Sequence, residues 1–191
     1  MDFSMIAGDT LFRTWRWGSD QISYAPITGI TQGAPVVITA TAHNIPPGWS
    51  AAVVSAVGMD ELSTDFEVPR QKDFHAATVV DPNTISFNGV NSTDFTPYVS
   101  GGFLMFNTPV DITGMTAKAQ IMDAVGGNLL LDISSYFTIN PTTYSIILEI
   151  PATITAAITW PKGVFSLEMI NGSVVTTIDY GNITVVQKAT I

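Results

Sequence analysis

The chain has 191 residues, a mass of 20.4 kDa and a formal net charge of −9. This acidic balance excludes nucleic acid and anionic membranes as main partners, because both repel a negative surface. The chain contains no cysteine, so disulfides, thiolate nucleophiles and cysteine metal sites are excluded as well. Only 12% of the residues are charged, about half of what is usual in soluble domains. We therefore expect other chains to cover much of the surface, the alternative being a monomer with a neutral surface of Thr, Ser and Asn.

No run of apolar residues approaches the roughly 20 that a membrane-spanning helix needs, so we expect no membrane span. A signal peptide is not expected either, because Asp2 and Asp9 fall where its apolar stretch would begin. Together with the low charge, this favours a subunit of a larger assembly.

The predicted secondary structure is nearly all β. Residues 3–17 predict a strand with a bend that continues into an alternating strand. Alternating runs rich in Thr, Val and Ile predict further strands at Val36–Thr41, Ala51–Val57, Thr84–Asn88, Ala117–Met122, Tyr144–Glu149, Val164–Ile170, Val174–Ile178 and Ile183–Gln187. Turns are predicted at residues 44–48, 81–83, 126–128 and 171–172. Asn171-Gly172 is typical of a type I′ hairpin, and one short helix is predicted near residues 151–158, with Pro151 in its first turn.

Residues 27–102 have the pattern of a self-contained module placed between two halves of another domain. They contain a strand, a turn at Pro47-Gly48, a second strand, a loop, and a hairpin that ends with residues 84–87. Such an arrangement suits a small β-barrel that closes most of its edges. We therefore predict an all-β protein: a discontinuous β-sandwich over residues 1–26 plus 103–191, interrupted by an inserted barrel over residues 27–102.

Four motifs lie in order within this module. They are Thr39-Ala-x-x-His43, Gly58-Met59, Val80-Asp81-x-x-Thr84-Ile85 and Tyr98-x-Ser100-Gly101-Gly102. The series resembles a small barrel that recurs in phage tail proteins and is similar to the first catalytic-cysteine half-domain of ubiquitin-activating enzymes. The resemblance implies a fold only, because a chain without cysteine and without a glycine-rich nucleotide loop cannot activate ubiquitin.

A second set of motifs lies in the flanking residues. It comprises Gly8-Asp9-Thr10 with the strand after it, residues 110–114, 117–121, 147–152 and 163–168, and the final blocks 171–180 and 181–185. This set is similar to the immunoglobulin-like N-terminal domain of phage baseplate upper proteins. In that family the pattern runs on without a break, whereas here the module of residues 27–102 is inserted. The scarcity of basic residues, with Lys118 and Lys162 nearly alone, departs from the family.

The two resemblances imply a non-enzymatic structural protein of a bacteriophage virion, in the tail, neck or baseplate, that docks on a symmetric ring. Its expected partners are other virion structural proteins of tail, neck, baseplate or fibre, and further copies of itself. Its expected location is the virion, after assembly in the host cytoplasm, and no cofactor is expected. Because the chain ends at Ile191, directly after the last predicted strand, an adaptor or scaffold is expected rather than a receptor-binding tip. The alternatives are a capsid decoration protein and a carbohydrate-binding module that contacts the host surface.

No catalytic, cofactor or metal site is predicted. His43 and His75, the two histidines, are interpreted as a turn residue and a solvated loop residue rather than as a catalytic or metal pair. An acidic segment lacks the ligand spacing of a calcium loop and is interpreted as exposed; it comprises Asp60, Glu61, Asp65 and Glu67. No Gly-x-Ser-x-Gly elbow occurs, and no pair of carboxylates stands out for glycoside cleavage. An enzyme is therefore not expected.

The four tryptophans are the candidate interface residues. Trp15 and Trp17 lie two positions apart and share one face of the predicted strand. They are interpreted as core residues of the sandwich, with a sugar-stacking platform as the alternative and an anchor for a neighbouring subunit as a further role for one of them. Trp49 is expected at a turn at the end of the barrel, and Trp160, which precedes Pro161, in an extended loop.

Overall fold

The computed structural model describes residues 2–65 and 69–188 and shows a nearly all-β protein, which confirms the predicted fold class. The described residues form sixteen strands: β1 (Phe3–Ile6), β2 (Leu11–Trp15), β3 (Gly18–Pro26), β4 (Gly29–Thr31), β5 (Val36–Thr39), β6 (Ser50–Val57), β7 (Ser63–Thr64), β8 (His75–Asp81), β9 (Thr84–Phe87), β10 (Ser100–Pro109), β11 (Thr116–Met122), β12 (Leu129–Asp132), β13 (Phe137–Asn140), β14 (Ser145–Ile150), β15 (Lys162–Asn171) and β16 (Val174–Val186). They are joined by one short helix, α1 (Ala152–Ala156), and by two 3₁₀ turns, Gln71–Asp73 and Ser134–Tyr136.

The chain divides into two compact units. They are unit 1, Met1–Trp17 plus Asp111–Ile191, and unit 2, Gly18–Val110. The sequence-based division falls instead after residues 26 and 102. The difference arises because β3 and β10 are antiparallel partners, with Gly18 opposite Pro109 and Pro26 opposite Phe103. Both strands therefore belong to unit 2 along their whole length.

Unit 1 is a β-sandwich of two sheets. One has the strand order β1-β16-β15-β11-β12, with β1 parallel to β16, and the other has the order β13-β14-β2. In β15, buried and half-buried residues alternate from Gly163 to Ile170, and the buried side chains are those of Phe165, Leu167 and Met169. They join Ile146 and Leu148 of β14 in one apolar core. Because each such side chain contributes roughly 1.5–3 kcal/mol when buried, this core is the main stabilising element of the unit.

The hairpin of β15 and β16 confirms the position of the strongest predicted hairpin. Asn171 pairs with Val174, so the two central residues of the turn are Gly172 and Ser173, and of these only Gly172 has a positive φ, +59°. A type I′ turn needs a positive φ at both central residues, whereas glycine at the first one is typical of type II′. The predicted turn type is therefore wrong, although the turn lies where it is predicted. The two strands predicted after this turn are in fact one strand, since β16 runs for 13 residues. The predicted break is wrong because a bulge absorbs the extra residue, Ile178, and the pairing with β15 continues beyond it.

Helix α1 lies where the sequence predicts a short helix, with Pro151 at its N-cap. The hydroxyl of its buried Thr155 accepts a hydrogen bond from the N–H of Gly8 at 3.2 Å and donates one to the carbonyl of Asp9 at 2.7 Å. Gly8 has a φ of +84°, which glycine adopts at little cost. The Gly8-Asp9-Thr10 motif thus forms the turn between β1 and β2, and Thr155 satisfies its polar backbone groups.

The predicted turns at residues 81–83 and 126–128 are also confirmed. Between β8 and β9, the N–H of Asn83 donates to Oδ1 of Asp81 at 2.7 Å. Between β11 and β12, the N–H of Asn128 donates to Oδ1 of Asp123, also at 2.7 Å. In each turn, the side chain of an aspartate accepts a hydrogen bond from a backbone N–H a few residues further along the chain. Local bonds of this kind are the reason that Asp and Asn favour turns.

Unit 2 is built on one long path of paired strands, β3-β10-β6-β8-β9-β5-β4, with β7 parallel beside β6. The two ends of the path, β3 and β4, are separated on the chain only by Ile27 and Thr28. The N–H of Ile27 donates to the carbonyl of Gly102 in β10 at 3.0 Å, and the N–H of Thr28 to the carbonyl of Thr39 in β5 at 2.8 Å. Five strands of the unit contribute buried side chains to its interior. They are Val36 and Ile38 of β5, Ala51, Ala52, Val53 and Val54 of β6, Ala77 of β8, Ile85 and Phe87 of β9, and Leu104 of β10.

The Gly58-Met59 motif holds the end of β6 against the segment before β10. Gly58 has a φ of +76°, and a Cβ placed there would overlap the carbonyl oxygen of Pro97. The next residue, Met59, is completely buried and its N–H donates to the carbonyl of Thr96 at 3.0 Å. The motif therefore marks a close approach of two backbone segments that only glycine permits.

Candidate functional site

Three of the four candidate tryptophans pack against the core of unit 1. Trp15, Trp17 and Trp160 are each half-buried beside that core. The indole Nε1–H of Trp15 donates to Oδ2 of Asp179 at 2.7 Å, and its ring centroid lies 6.0 Å from that of Phe137. These contacts favour the interpretation of Trp15 as a core residue over that of an open stacking platform.

Trp49 is the most deeply buried tryptophan. Its side chain is 4% exposed, and its indole Nε1–H donates to the carbonyl of Asn107 at 2.8 Å. It follows the turn at Pro47-Gly48 and immediately precedes β6. All four tryptophans lie within the described residues, and none of them is exposed. Any surface for a partner or a ligand is therefore built mainly from other side chains.

The two histidines have separate structural settings. His43 is 4% exposed; its Nδ1 accepts a hydrogen bond from the N–H of Ile45 at 2.9 Å, so its Nε2 donates to the carbonyl of Asp81 at 3.1 Å. His75 is the first residue of β8 and is half-buried, with its ring centroid 5.1 Å from that of Phe87. The interpretation of His75 as a solvated loop residue is wrong, because His75 belongs to β8 and pairs with Ala51 of β6.

Acidification should destabilise the protein through His75. Burial lowers the pKa of His75, and the smaller effect of Asp73 acts in the opposite direction. The unfolded chain, in which this histidine has its ordinary pKa of about 6.5, therefore binds the proton more tightly. The free energy of unfolding should therefore decrease as the pH falls below about 6.5, and level off once the folded imidazole is also protonated. Urea denaturation between about pH 7.5 and pH 5 measures this.

The variant His75→Gln serves as the control. It should lose the pH dependence in this window and keep the decline below about pH 4.5, where carboxylates with lowered pKa values, such as Glu61, become protonated. An unchanged slope between pH 6.5 and pH 5 in the variant would show that another group is responsible.

The acidic segment is tied to its neighbour rather than arranged around a cation. The carboxylate of Glu61 accepts hydrogen bonds from the N–H of Thr96 at 2.9 Å and from its hydroxyl at 3.1 Å. Both bonds lower the pKa of Glu61, and the bond from the backbone N–H has the larger effect. Asp60 and Asp65 are exposed, and Glu67 lies outside the described residues. Over residues 2–65 and 69–188, no three or more His, Asp or Glu side chains are grouped as metal ligands.

Unit 2 carries an exposed apolar strip that the sequence analysis did not single out. We call Ile22, Tyr24 and Phe103 the Tyr24 strip. Ile22 and Tyr24 lie two apart on β3 and are 38% and 45% exposed, and the Tyr24 and Phe103 rings meet edge to face at 6.2 Å. Phe103 also packs against a small buried cluster of Ala52, Val54 and Met105. The alternation in Ile22-x-Tyr24 is visible in the sequence, but the position of Phe103 beside it depends on the pairing of β3 with β10.

Unit 1 carries a groove of about 950 Å³, which we call the outer groove. Two rows of paired residues cross it from β11 through β15 to β16. The first row is Gln120, Ser166 and Tyr180, and the second is Met122, Val164 and Asn182. Along β15 these positions alternate with buried Phe165 and Leu167, so the groove lies on the face of the five-stranded sheet that is turned away from the core. Asp2 and the loop residues Val125 and Gly126 complete its lining.

The loop that borders the outer groove is held by Asp123. Its carboxylate accepts hydrogen bonds from the N–H and from the Nδ2 of Asn128, at 2.7 and 3.0 Å. The side-chain and backbone bonds of Asn128 lower the pKa of Asp123. Gly127 packs so closely against this carboxylate that a Cβ would overlap it. The border of the groove is therefore a fixed turn.

The described part of the chain contains no helix that is long and apolar enough to cross a membrane. Comparison with protein-family models finds no family that matches this chain. Comparison with the curated proteins likewise finds no match.

Proposed function

We propose that this chain is a non-enzymatic structural subunit of a bacteriophage virion, a tail, neck or baseplate adaptor that docks on a symmetric ring. The observation that carries the proposal is the Tyr24 strip of unit 2. It joins two aromatic rings and an aliphatic side chain on one surface, and it is continuous with a buried apolar cluster. Aromatic side chains of this kind dominate the binding energy of protein interfaces.

The charge of the chain supports an interface of this type. Only 7 basic and 16 acidic residues occur among 191, and the centres of stable interfaces are depleted of charge. Further exposed apolar side chains include Val57 at 55% and Val99 at 69%. These two are neighbours, because the N–H of Val99 donates to the carbonyl of Val57 at 2.8 Å. Unit 2 thus offers two apolar contact areas for neighbouring subunits.

The inserted small barrel is part of the same proposal. It is supported by the hydrogen bonds that Ile27 donates to β10 and Thr28 donates to β5. Because of them, one continuous segment, β3 followed by β4, forms both ends of the strand path. A path whose two ends lie on one segment has the connectivity of a closed sheet, and closure removes exposed edges. The immunoglobulin-like assignment of unit 1 rests on its motifs and on its two-sheet sandwich.

Labelling virions with antibodies raised against this chain tests the proposal. Electron microscopy should place the label at the tail, neck or baseplate, in a few to a dozen copies per particle. Label over the whole head, in hundreds of copies, would support a capsid decoration protein instead. Particles without label would contradict both.

Introducing a charge into the Tyr24 strip should abolish binding to assembled tails. Ile22→Asp places a carboxylate in an apolar contact, which costs several kcal/mol when no partner compensates for its lost hydration. The free protein should keep its stability, because Ile22 is 38% exposed. Co-sedimentation with purified tails, at low salt and at 1 M salt, measures the effect. The unaltered chain should bind at both, since apolar contacts do not depend on the Debye length.

The matched control is Val80→Asp, which places the same charge on β8 of unit 2 at a residue that is 60% exposed. It should bind tails like the unaltered chain. Equal loss of binding in both variants would point to the added charge itself, and undiminished binding in Ile22→Asp would remove the Tyr24 strip from the interface.

A further inference from the structure

We propose that the outer groove of unit 1 is a binding site for a neutral oligosaccharide. The site is separate from the Tyr24 strip, which lies on unit 2, so it does not depend on the proposed virion role. Neither the tryptophans nor any other sequence-predicted candidate residue contributes to it.

The charge that lines the outer groove disfavours anionic ligands. Its lining includes the carboxylate of Asp2 and no lysine or arginine. The backbone N–H of Asn182 and then its side-chain amide lower the pKa of Asp2, which keeps that carboxylate ionised in neutral solution. Phosphorylated, sulfated or sialylated ligands would meet like charge there, whereas a neutral ligand would not.

The polar side chains of the outer groove suit the hydroxyls of a sugar. Gln120 donates from Nε2 to Oδ2 of Asp132 at 2.9 Å, and Asn182 donates from Nδ2 to the carboxylate of Asp2 at 3.2 Å. These bonds fix two planar amides on opposite sides of the sheet face, with Ser166 between them. Amides, hydroxyls and carboxylates together offer both donors and acceptors, and each sugar hydroxyl needs both.

Tyr180 supplies the apolar surface that a sugar ring needs. Its side chain is 73% exposed and lines the groove in the same row as Ser166 and Gln120. One face of a pyranose ring presents only C–H groups, which pack on an aromatic ring while the hydroxyls around the rim form hydrogen bonds. A tyrosine combines such an apolar face with a polar tip.

The outer groove is already formed in the free protein. Its floor is a paired sheet, and its border is the turn that Asp123 and Gly127 hold in place. A site that needs no ordering on binding loses less conformational entropy. Its volume of about 950 Å³ lies at the upper end of small-molecule sites, about 300–1,000 Å³, which favours several sugar units over one.

Titration of the full chain, followed by the amide signals in NMR spectra, tests the proposal. The probes are maltotriose, cellotriose and tri-N-acetylchitotriose, with sialyllactose as the anionic comparison and a lysine-rich peptide as the cationic one. At least one neutral trisaccharide should shift the signals of Gln120, Ser166 and Tyr180, with a dissociation constant on the order of 1 mM or lower. Tyr180→Ala should weaken binding by about tenfold or more, which corresponds to about 1.4 kcal/mol.

Two further variants keep the test decisive. Ser166→Phe fills the groove from its floor without touching the core and should abolish binding, whereas Phe12→Ala removes an aromatic ring that is 62% exposed outside the groove and should change the affinity less than about twofold. Binding that survives Ser166→Phe would overturn the proposal. It would also be overturned if only sialyllactose or only the peptide bound, or if no probe shifted these signals at about ten times the expected dissociation constant.

Discussion

A shortened protein in which Trp17 is joined to Asp111 through two glycines, without Gly18–Val110, should still fold cooperatively. The core of unit 1 consists only of residues from unit 1, and both sheets of its sandwich are made from its own strands. The linker can be short because Gly18 is the partner of Pro109 across β3 and β10, so the chain leaves and re-enters unit 1 at nearby points. Insertions with adjacent ends are the ones that domains tolerate.

The shortened protein should give a β-type circular dichroism spectrum and a single cooperative thermal transition. Its matched control removes residues 27–102 instead, at the boundaries that the sequence predicts. That control retains β3 and most of β10 but removes β6, the other neighbour of β10. We expect it to aggregate or to melt over a broader range, because an unpaired strand edge is exposed. A shortened protein without any cooperative transition would show that unit 1 depends on unit 2 for folding.

The sequence is sufficient to predict most elements, because their signals are local. The Asn171-Gly172 hairpin, the turn at residues 81–83 and the short helix after Pro151 each depend on residues within a few positions of one another. The domain boundaries depend on a pairing that local signals do not encode. Within residues 18–26 only Ile22-Ser23-Tyr24 alternates in polarity, and only the register with β10, more than seventy positions away, assigns the segment to unit 2.

The candidate sites illustrate the same limit. The enrichment of tryptophan in interfaces makes the four tryptophans the candidates from sequence, but Trp49 is 4% exposed and Trp15 is bonded to Asp179. The outer groove could not be found from the sequence, because its two rows join the hairpin of β15 and β16 to β11, which ends at Met122, far before β15 begins at Lys162. The row of Gln120, Ser166 and Tyr180 exists only through the register of β11, β15 and β16. Surfaces that follow from long-range register need the fold before they can be recognised.

Gly58→Ala should destabilise unit 2 by roughly 3 kcal/mol or more. A residue with a side chain at the φ of +76° observed for Gly58 costs about 1–2 kcal/mol through the clash of its own Cβ with the backbone. In addition, the new Cβ would overlap the carbonyl oxygen of Pro97, which is backbone and cannot rotate away. The two segments would have to separate, and this would break the bond from the N–H of Met59 to the carbonyl of Thr96. Urea denaturation at pH 7.5 measures the loss.

Gly101→Ala is the matched control, because it isolates the first of these two costs. Gly101 lies in the same unit and has a similar φ of +70°, but the nearest atom to its added Cβ is the carbonyl oxygen of Ser55 at 4.0 Å, an ordinary contact. It should therefore cost only about 1–2 kcal/mol, and the difference between the two variants measures the steric contribution at Pro97. Equal losses in both variants would mean that the backbone conformation alone requires glycine at position 58. The Gly58-Met59 motif would then mark a turn only, and the close approach of β6 to the segment before β10 would not be the reason for glycine at position 58.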